Sequence, residues 1–226
     1  KGRALQNMIN IQKGDKVCAF IHVKNLSDQE YVQNHYLIFA TKNGLMKKTT
    51  LESYSRPRTN GIIALGLRED DRLIRVTLTD GKSQMLVASY NGKVVRFPED
   101  TVRPMGRTAT GVRAIKLDED GRDRVIGMIC VEEGSKDSVL VISEKGYGKR
   151  TLLDDENGEA IYRITNRGGK GVKTMNLSDK TGNLIGLEAV NDDMDLMLIT
   201  KSGTAIRMAM NTINVLGRAT QGVKLI

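Results

Sequence analysis

Four segments of the chain repeat one pattern, and such a repeat constrains the fold more than any other feature of the sequence. Each has an apolar, β-prone run, a turn centred on glycine and a second short run, which is typical of a β-hairpin. The segments are YLIFATKNGLMKK (36–48), QMLVASYNGKVVR (84–96), SVLVISEKGYGKR (138–150) and DLMLITKSGTAIR (195–207). Their turn glycines are Gly44, Gly92, Gly146 and Gly203. Four residues after each glycine stands a cation, at Lys48, Arg96, Arg150 and Arg207.

A second module, here called the joint, follows each hairpin. The four joints are RPRTNGIIALGL (56–67), GRTATGVRAIKL (106–117), NRGGKGVKTMNL (166–177) and GRATQGVKLI (217–226). They align on Gly61, Gly111, Gly171 and Gly222, each followed by a β-branched residue. An arginine stands four residues before this glycine at Arg107, Arg167 and Arg218, and Arg56 and Arg58 straddle that place in the first joint. We therefore interpret NRGGKG as the third copy of a joint whose glycine is required by the backbone.

Nothing in the sequence favours an independent enzyme. A P-loop needs a hydroxyl residue after its lysine, but Lys170 is followed by Gly171, and the glycine spacing does not match a dinucleotide fingerprint either. His22 and His35 stand in no motif, and Cys18 and Cys130 are isolated. The acidic clusters at 69–71 and 118–120 fall in predicted turns, where solvated carboxylates are expected. We assign no catalytic residue, no metal site and no cofactor to this chain.

Another apolar run follows each of the first three joints, at 73–79, 125–131 and 184–190. Each unit therefore has about four strands over 48 to 57 residues. This pattern predicts an all-β, propeller-like array of four-stranded blades in a single domain over 1–226, with cations gathered along one edge. We expect a remnant of an earlier blade at 1–35 and about four full blades, at 36–83, 84–137, 138–194 and 195–226. The chain has no Trp, so WD40 blades do not fit.

The charge balance favours an anionic partner. The chain carries 35 Lys+Arg against 27 Asp+Glu, a formal net charge of +8, which points first to nucleic acid and leaves a merely basic soluble domain open. With three Phe, six Tyr and no Trp, there are few rings on which single-stranded bases could stack, so duplex is favoured. No apolar run approaches the ~18 residues that a membrane helix needs. The isolated cysteines are typical of a reducing cytoplasm.

Several blades closely resemble the C-terminal domain of the DNA gyrase A subunit, in order and over essentially the whole chain. The matching segments are GKVVRF (92–97), GYGKRT (146–151), TGVRAIKL (110–117) and GRATQGVKLI (217–226). The resemblance implies a β-pinwheel, in which neighbouring blades exchange strands. It further implies a basic outer rim that wraps duplex DNA with positive handedness. The bacterial topoisomerase then introduces negative supercoils in an ATP-dependent reaction.

The same resemblance implies that this chain alone is non-catalytic. The tyrosine that cuts DNA, and the sites for ATP and Mg, belong to other parts of an isomerase built from gyrase A and gyrase B subunits (A2B2). The expected location is the bacterial cytoplasm, at the nucleoid and not at a membrane. GRALQNMINI (2–11) resembles the closing strand of an earlier blade. NRGGKG resembles the gyrase box, although Asn166 stands where the box has a cation. The corresponding domain of topoisomerase IV is the alternative within this family.

Two sets of cations are the predicted DNA contacts. The hairpin set is Lys48, Arg96, Arg150 and Arg207, helped by Lys47, Lys93 and Lys149. The joint set is Arg56, Arg58, Arg107, Arg113, Arg167, Lys170, Lys173, Arg218 and Lys224. Gly168 and Gly169 would let backbone N–H groups approach a phosphate. Two alternatives stay open at this point: the three joint arginines at 107, 167 and 218 could instead bridge neighbouring units through backbone carbonyls, and the whole array could be a protein-binding scaffold.

Overall fold

The computed structural model describes residues 14–226 together with Gly2 and Asn7, and β-strands dominate it. The predicted closing strand at 2–11 lies almost wholly outside the described residues. One short helix, α1 (Gln29–Asn34), begins at Asp28, whose side chain accepts a hydrogen bond from the Tyr31 N–H. Short 3-10 turns cover Leu51–Tyr54, Glu99–Thr101 and Met210–Thr212. No helix among the described residues is long and apolar enough to cross a membrane.

The described residues contain fourteen strands. The strands of the first two units are β1 (Tyr36–Thr41), β2 (Leu45–Thr50), β3 (Leu73–Thr79), β4 (Gln84–Ser89), β5 (Lys93–Pro98), β6 (Val112–Arg113) and β7 (Val125–Val131). Those of the last two units are β8 (Ser138–Ser143), β9 (Tyr147–Leu152), β10 (Val172–Lys173), β11 (Leu184–Val190), β12 (Asp195–Ile199), β13 (Ala205–Ala209) and β14 (Val223–Lys224).

The strands form three antiparallel four-stranded sheets and one two-stranded sheet, and neighbouring sheets exchange a strand. The strand orders are β3-β1-β2-β6, β7-β4-β5-β10 and β11-β8-β9-β14, with β12-β13 as a hairpin. In each complete blade a hairpin and the strand after it come from one unit. The fourth strand comes from the joint of the next unit, so β6 pairs with β2 in the blade before its own. This topology confirms the all-β pinwheel predicted from the sequence.

The fourth unit contributes only the β12-β13 hairpin to a sheet of its own within the described residues. A complete blade needs an inner strand that follows its hairpin and an exchanged strand from the next unit. The residues after β13 instead form β14, which pairs with β9 of the preceding blade. The expected blade at 195–226 is therefore present here as two strands.

Each hairpin reverses through a turn that ends on glycine. The Gly44 N–H donates to the Thr41 carbonyl over 3.1 Å, and φ of Gly44 is +85°. Gly92, Gly146 and Gly203 make the same bond to the residue three positions back, with φ between +76° and +89°. This is the geometry of a hairpin whose last loop residue is left-handed, which glycine adopts without a Cβ penalty.

The apolar cores lie between consecutive sheets. Ile38 and Met46 of the first sheet pack with Met85 and Phe97 of the second, and similar clusters join the second sheet to the third and the third to the fourth. Burial of apolar side chains between neighbouring units stabilises a blade array. The outer face of the first sheet is covered by α1 and the segment before it, through Val32.

The inner strands of the three complete blades define the axis of the array. β3, β7 and β11 stand at one edge of their sheets, and β7 contacts both β3 and β11. Across this axis the Arg75 guanidinium pairs with the Glu188 carboxylate, Nη1 to Oε1, over 3.1 Å. The exchanged strands β6, β10 and β14 occupy the opposite edge of each sheet, so the joints lie on the outer perimeter.

The joint glycines provide a direct test of strand exchange. At Gly171, φ is +73° and a Cβ would lie 2.5 Å from the Val94 carbonyl oxygen of the preceding blade. Gly61 occupies the same joint position with φ +76° but has no atom within 4 Å of such a Cβ. We expect Gly171→Ala to lower the free energy of unfolding by roughly 2 kcal/mol more than Gly61→Ala, measured by urea denaturation, because only Gly171 adds a clash to the cost of a left-handed alanine. Equal losses would contradict the close approach.

Candidate nucleic-acid interface

The four joints stack on one another through a backbone hydrogen bond that repeats at every blade boundary. The Gly66 N–H donates to the Ala109 carbonyl over 3.1 Å. The next boundaries repeat it from Lys116 to Gly169 over 2.8 Å, and from Asn176 to Thr220 over 3.0 Å. In each case the residue five positions after one joint glycine contacts the residue two positions before the next. The joints 56–67, 106–117, 166–177 and 217–226 therefore form one continuous strip on the perimeter, here called the joint band.

The joint arginines bridge neighbouring blades along this band. Each is half-buried and donates to the carbonyl of the residue two positions after the preceding joint glycine. The contacts are Arg107 Nη1 to Ile63 O at 2.9 Å, Arg167 Nη1 to Arg113 O at 3.3 Å, and Arg218 Nη1 to Lys173 O. The geometry matches the bridging alternative that the sequence left open. A guanidinium has five N–H donors, so each bridge leaves donors for an anion.

A second row of cations is exposed on the same band. The residue two positions after the joint glycine is Arg113, Lys173 or Lys224, each on the short exchanged strand. Within the described residues none of these three side chains makes a hydrogen bond or ion pair. The carbonyls of Arg113 and Lys173 accept the bonds from the next arginines, so a bridging arginine and an exposed cation adjoin at two blade boundaries. At the first joint the place is taken by exposed Ile63.

At the first blade boundary three predicted arginines come together. Arg56, Arg58 and Arg107 line an open cavity of about 440 Å³ whose wall also includes Ser53 and Ser55. Arg56 and Arg58 are exposed and unpaired within the described residues. Glu52 also lines this cavity, and the Ser55 hydroxyl already donates to the Glu52 carbonyl over 2.8 Å. The guanidinium groups are thus the donors for a phosphate oxygen, and the first joint has cations even though Ile63 replaces one.

The NRGGKG loop supplies fewer backbone donors than expected. The Gly168 N–H donates to the Ala114 carbonyl over 2.7 Å, so it is engaged at the blade boundary and the expectation that it contacts phosphate is corrected. No acceptor contacts the Gly169 N–H among the described residues. The Gly168 φ of +81° places the loop against the Arg113 side chain. Lys170 is exposed, so the cation of this loop reaches solvent.

Three cations of the hairpin set are not on the surface, which corrects their assignment as DNA contacts. Lys48, Arg96 and Arg150 are 4 to 7% exposed because the next unit covers their strands. Each pairs with a carboxylate from a later segment: Lys48 with Glu99 at 2.9 Å, Arg96 with Asp154 at 2.7 Å and Arg150 with Asp192 at 2.5 Å. The first two pairs join neighbouring units and the third lies within the unit 138–194, and all three cations are already neutralised.

Lys47 and Lys149, the expected helpers of the hairpin set, are also buried, at 1% and 0% exposure. The Lys47 ammonium donates to the carbonyls of Ala64 and Arg107, and the Lys149 ammonium to those of Gly217 and Arg218. Burial, followed by the nearby joint arginine, lowers the pKa of each lysine to about 8. Neither ammonium is accessible to a phosphate, so both are withdrawn from the contact set.

The remaining two hairpin cations are paired on the surface. Lys93 is half-buried and forms an ion pair with Asp118 at 2.5 Å, and Arg207 is exposed and pairs with Asp195 across the β12-β13 hairpin. Ion pairs that remain accessible to water contribute little energy and exchange readily with other ions. Both cations lie on hairpin strands rather than on the joint band.

Two exposed arginines absent from the predicted set flank the joints. Arg103 and Arg163 each stand eight residues before a joint glycine. Each immediately precedes a residue that forms a parallel bridge with the preceding hairpin, Pro104 with Lys48 and Ile164 with Arg96. Their shared offset is the signal that could have identified them in the sequence.

The acidic turns support the hairpin tips. Asp71 accepts from the Asn43 N–H at 2.9 Å and Asp123 from the Asn91 N–H at 3.0 Å. Asp120 accepts from the Asn91 side chain and from two backbone N–H groups, which lowers its pKa to about 2. These carboxylates have structural partners and hold the hairpin turns in place.

The family model for the DNA gyrase C-terminal domain, a β-propeller, matches residues 35–80, 84–132, 137–191 and 195–226. The chain is 42% identical over 226 residues to the gyrase A protein of Staphylococcus aureus strain NCTC 8325 / PS 47. That match covers 100% of the chain and 24% of the relative, so the chain spans about a quarter of the length of the curated relatives it matches. The gyrase A protein of strain MRSA252 gives the same identity and coverage.

Two solved structures share the fold. The C-terminal domain of DNA topoisomerase IV superposes with a TM-score of 0.85 and 23% identity, covering 100% of this chain and 66% of that one. The DNA gyrase A C-terminal domain gives 0.81 and 23%, covering 100% and 71%. At this identity the likeness shows the fold alone. The class of the protein is thus a strand-exchanged β-pinwheel with a basic perimeter.

Within that class, the chain belongs to the DNA gyrase C-terminal domain family, since the family model matches nearly all of residues 35–226.

The buried ion pairs between blades generate a stability prediction. Glu99 is fully buried beside Lys48 and also accepts from the Thr79 hydroxyl and the Ser83 N–H. We expect Glu99→Gln to lower the free energy of unfolding by roughly 3 kcal/mol, because it leaves the Lys48 ammonium buried without its counter-charge. Glu188→Gln removes half of the exposed Arg75 pair and should cost less than about 1 kcal/mol. Denaturant titration of both variants measures the two losses of unfolding free energy. Similar losses would show that the buried Lys48–Glu99 pair stabilises the fold no more than an exposed pair does.

Proposed function

We propose that the chain binds duplex DNA along its joint band and wraps it around the outer edge of the blades, as part of a DNA gyrase A subunit. The observation that supports this most strongly is the succession of bridging arginines and exposed cations along the perimeter. Family membership and the identity to S. aureus gyrase A proteins support the same conclusion.

The chemistry of the band suits phosphate contact rather than base reading. A DNA duplex carries about one negative charge per 1.7 Å of axis, and exposed cations displace its condensed counterions. Such contacts position the duplex without reading its sequence. Bending 20–30 bp through 40–90° costs of order 1–6 kcal/mol, so contacts from several blades have to act together. A band that continues without a break over four joints supplies them at regular intervals.

Wrapping on this perimeter would serve the whole enzyme. We propose that the wrap has positive handedness and presents the DNA to the remainder of gyrase A and to gyrase B. Those parts would carry the cleaving tyrosine and the ATP and Mg sites, and would introduce negative supercoils in the bacterial cytoplasm, at the nucleoid. The topoisomerase IV alternative is not favoured, because the relatives with 42% identity are gyrase A proteins.

The location of the phosphate contacts is testable by charge-matched variants. We expect the triple change Arg113→Gln, Lys173→Gln and Lys224→Gln to weaken duplex binding and to reduce the slope of log affinity against log salt by about 0.9 for each lost contact. The change Lys82→Gln, Lys136→Gln and Lys201→Gln removes the same charge from exposed sites off the band and should leave the slope nearly unchanged. Fluorescence anisotropy with a labelled duplex at several salt concentrations measures both. Equal slopes for the two variants would remove the band as the contact surface, and no duplex binding at low salt would favour a scaffold.

The bridging arginines need a separate experiment because they have two possible roles. We expect Arg107→Ala, Arg167→Ala and Arg218→Ala together to lower the salt slope by about 0.9 per residue, similarly for all sequences, if their free N–H donors contact phosphate. A folded variant with weaker binding but an unchanged slope would show that these residues only bridge blades. The melting temperature of the variant reports the loss of the bridges independently.

A further inference from the structure

Two buried lysines lie directly behind the joint band, and the predicted DNA contacts do not account for them. Lys47 and Lys149 stand three residues after the turn glycine of their hairpins, on strands β2 and β9. Each ammonium donates to the main-chain carbonyl of a joint arginine, Lys47 to Arg107 and Lys149 to Arg218. A second carbonyl from a joint completes each site, Ala64 for Lys47 and Gly217 for Lys149.

We propose that Lys47 and Lys149 are positioning residues of the joint band: each fixes the main chain of a joint arginine and places a positive charge behind it. This inference rests on the proposed function, since it concerns how the DNA-contacting arginines are held. Neither lysine is accessible, so neither contacts DNA. Their effect on binding is transmitted through Arg107 and Arg218.

The second blade shows that the fold does not require a lysine at this position. Val95 stands three residues after the turn glycine Gly92 and is equally buried, at 1% exposure. An apolar side chain therefore occupies the equivalent hairpin position and packs in the core between the first and second sheets. The lysines at the first and third blades add two carbonyl bonds and a charge to a site that packing alone can satisfy, which points to a role beyond stability.

The groups around each lysine indicate that its protonation is coupled to anion binding by the adjacent arginine. Lys47 lies 5.0 Å from the Phe39 ring centroid and near Tyr54 and Arg107, and no carboxylate of the described residues is within ion-pair distance. The Arg218 guanidinium is the charged group that acts on Lys149, and its charge also acts on the Tyr162 hydroxyl. Burial raises the pKa of both tyrosines, so neither titrates near neutrality.

The direction of this link follows from the charges. In the free protein, burial and the adjacent arginine hold the pKa of each lysine at about 8. A phosphate on Arg107 or Arg218 offsets the arginine charge and so favours the charged lysine, which places the lysine pKa in the complex above its free value. DNA binding then takes up protons, and by linkage the affinity is greatest below about pH 7 and falls as pH rises through 8.

The test compares the full chain with Lys47→Met, Lys149→Met and the double variant, and uses Val95→Met as the matched control. Methionine keeps the packed stem but donates no hydrogen bond. We expect each lysine variant to bind a labelled duplex about tenfold more weakly at pH 7, with the salt slope unchanged because no phosphate contact is lost. Between pH 7 and 9.5 the affinity of the unsubstituted chain should fall at least about threefold more than that of the double variant. Val95→Met should keep the pH profile of the unsubstituted chain.

Several results would overturn this inference. Folded lysine variants with unchanged affinity, or with the pH profile of the unsubstituted chain, would show that the lysines are merely structural. A salt slope reduced by about 0.9 per lysine would make them direct phosphate contacts.

A second measurement needs no variant, so it tests the coupling of DNA binding to lysine protonation even if the substitutions prevent folding. Calorimetric titration of the unsubstituted chain with duplex at pH 8, in two buffers of different ionisation enthalpy, should report net proton uptake. Uptake of zero would refute the link. Failure of the unsubstituted chain to bind duplex at low salt would instead overturn the proposed function, and this inference with it.

Discussion

The structure depends on one backbone interaction, the pairing of each joint with the hairpin of the preceding blade. The exchanged strand β6 pairs with β2, β10 with β5 and β14 with β9, always within the first residues after the hairpin turn. The approach is so close that a side chain at the joint glycine would meet a carbonyl of the neighbouring blade, as at Gly111 and Met46 O, 2.4 Å from an ideal Cβ. The same pairing places consecutive joints in contact and builds a continuous band on the perimeter.

Strand exchange also decides which cations can bind an anion. The joint covers the second strand of the preceding hairpin, so a cation on that strand is removed from water and has to find a partner within the protein. Lys48, Arg96 and Arg150 find carboxylates, whereas Lys47 and Lys149 find carbonyls. The joint itself stays outside, and its cations remain available. One topological feature thus separates structural charges from those that can contact DNA.

The periodic features of the fold were predictable from the sequence, because they recur at fixed offsets. The hairpin turns, the joint glycines and the all-β blade architecture follow from local backbone requirements, and every repeat meets them with the same residue types at the same positions. Burial of the hairpin cations was not predictable in this way, since it depends on a segment more than fifty residues further along the chain that covers them. The sequence nevertheless contained one sign of this burial. Val95 and Ile206 occupy the position of Lys47 and Lys149 in the other two hairpins, and apolar residues are typical of a buried position.

In the candidate site, too, features set within one repeat were predictable and features set by contacts between blades were not. Exposure of Arg113, Lys173 and Lys224 agrees with the sequence-based set because short edge strands leave alternate side chains outside. The loss of the Gly168 amide to Ala114 depends on contact between neighbouring blades, which a single repeat does not specify. The bridging contacts of the joint arginines have the same origin, so the sequence could identify these residues but not choose between their two roles.

Nick closure measures whether DNA wraps around the perimeter of the chain. A nicked circular plasmid is sealed by ligase in the presence of increasing amounts of the chain, the protein is removed, and the linking number is read on a gel. Wrapping with positive handedness should give a positive shift in linking number that grows with the protein concentration. An unchanged linking number, at concentrations where the chain retards the same plasmid on a gel, would contradict it.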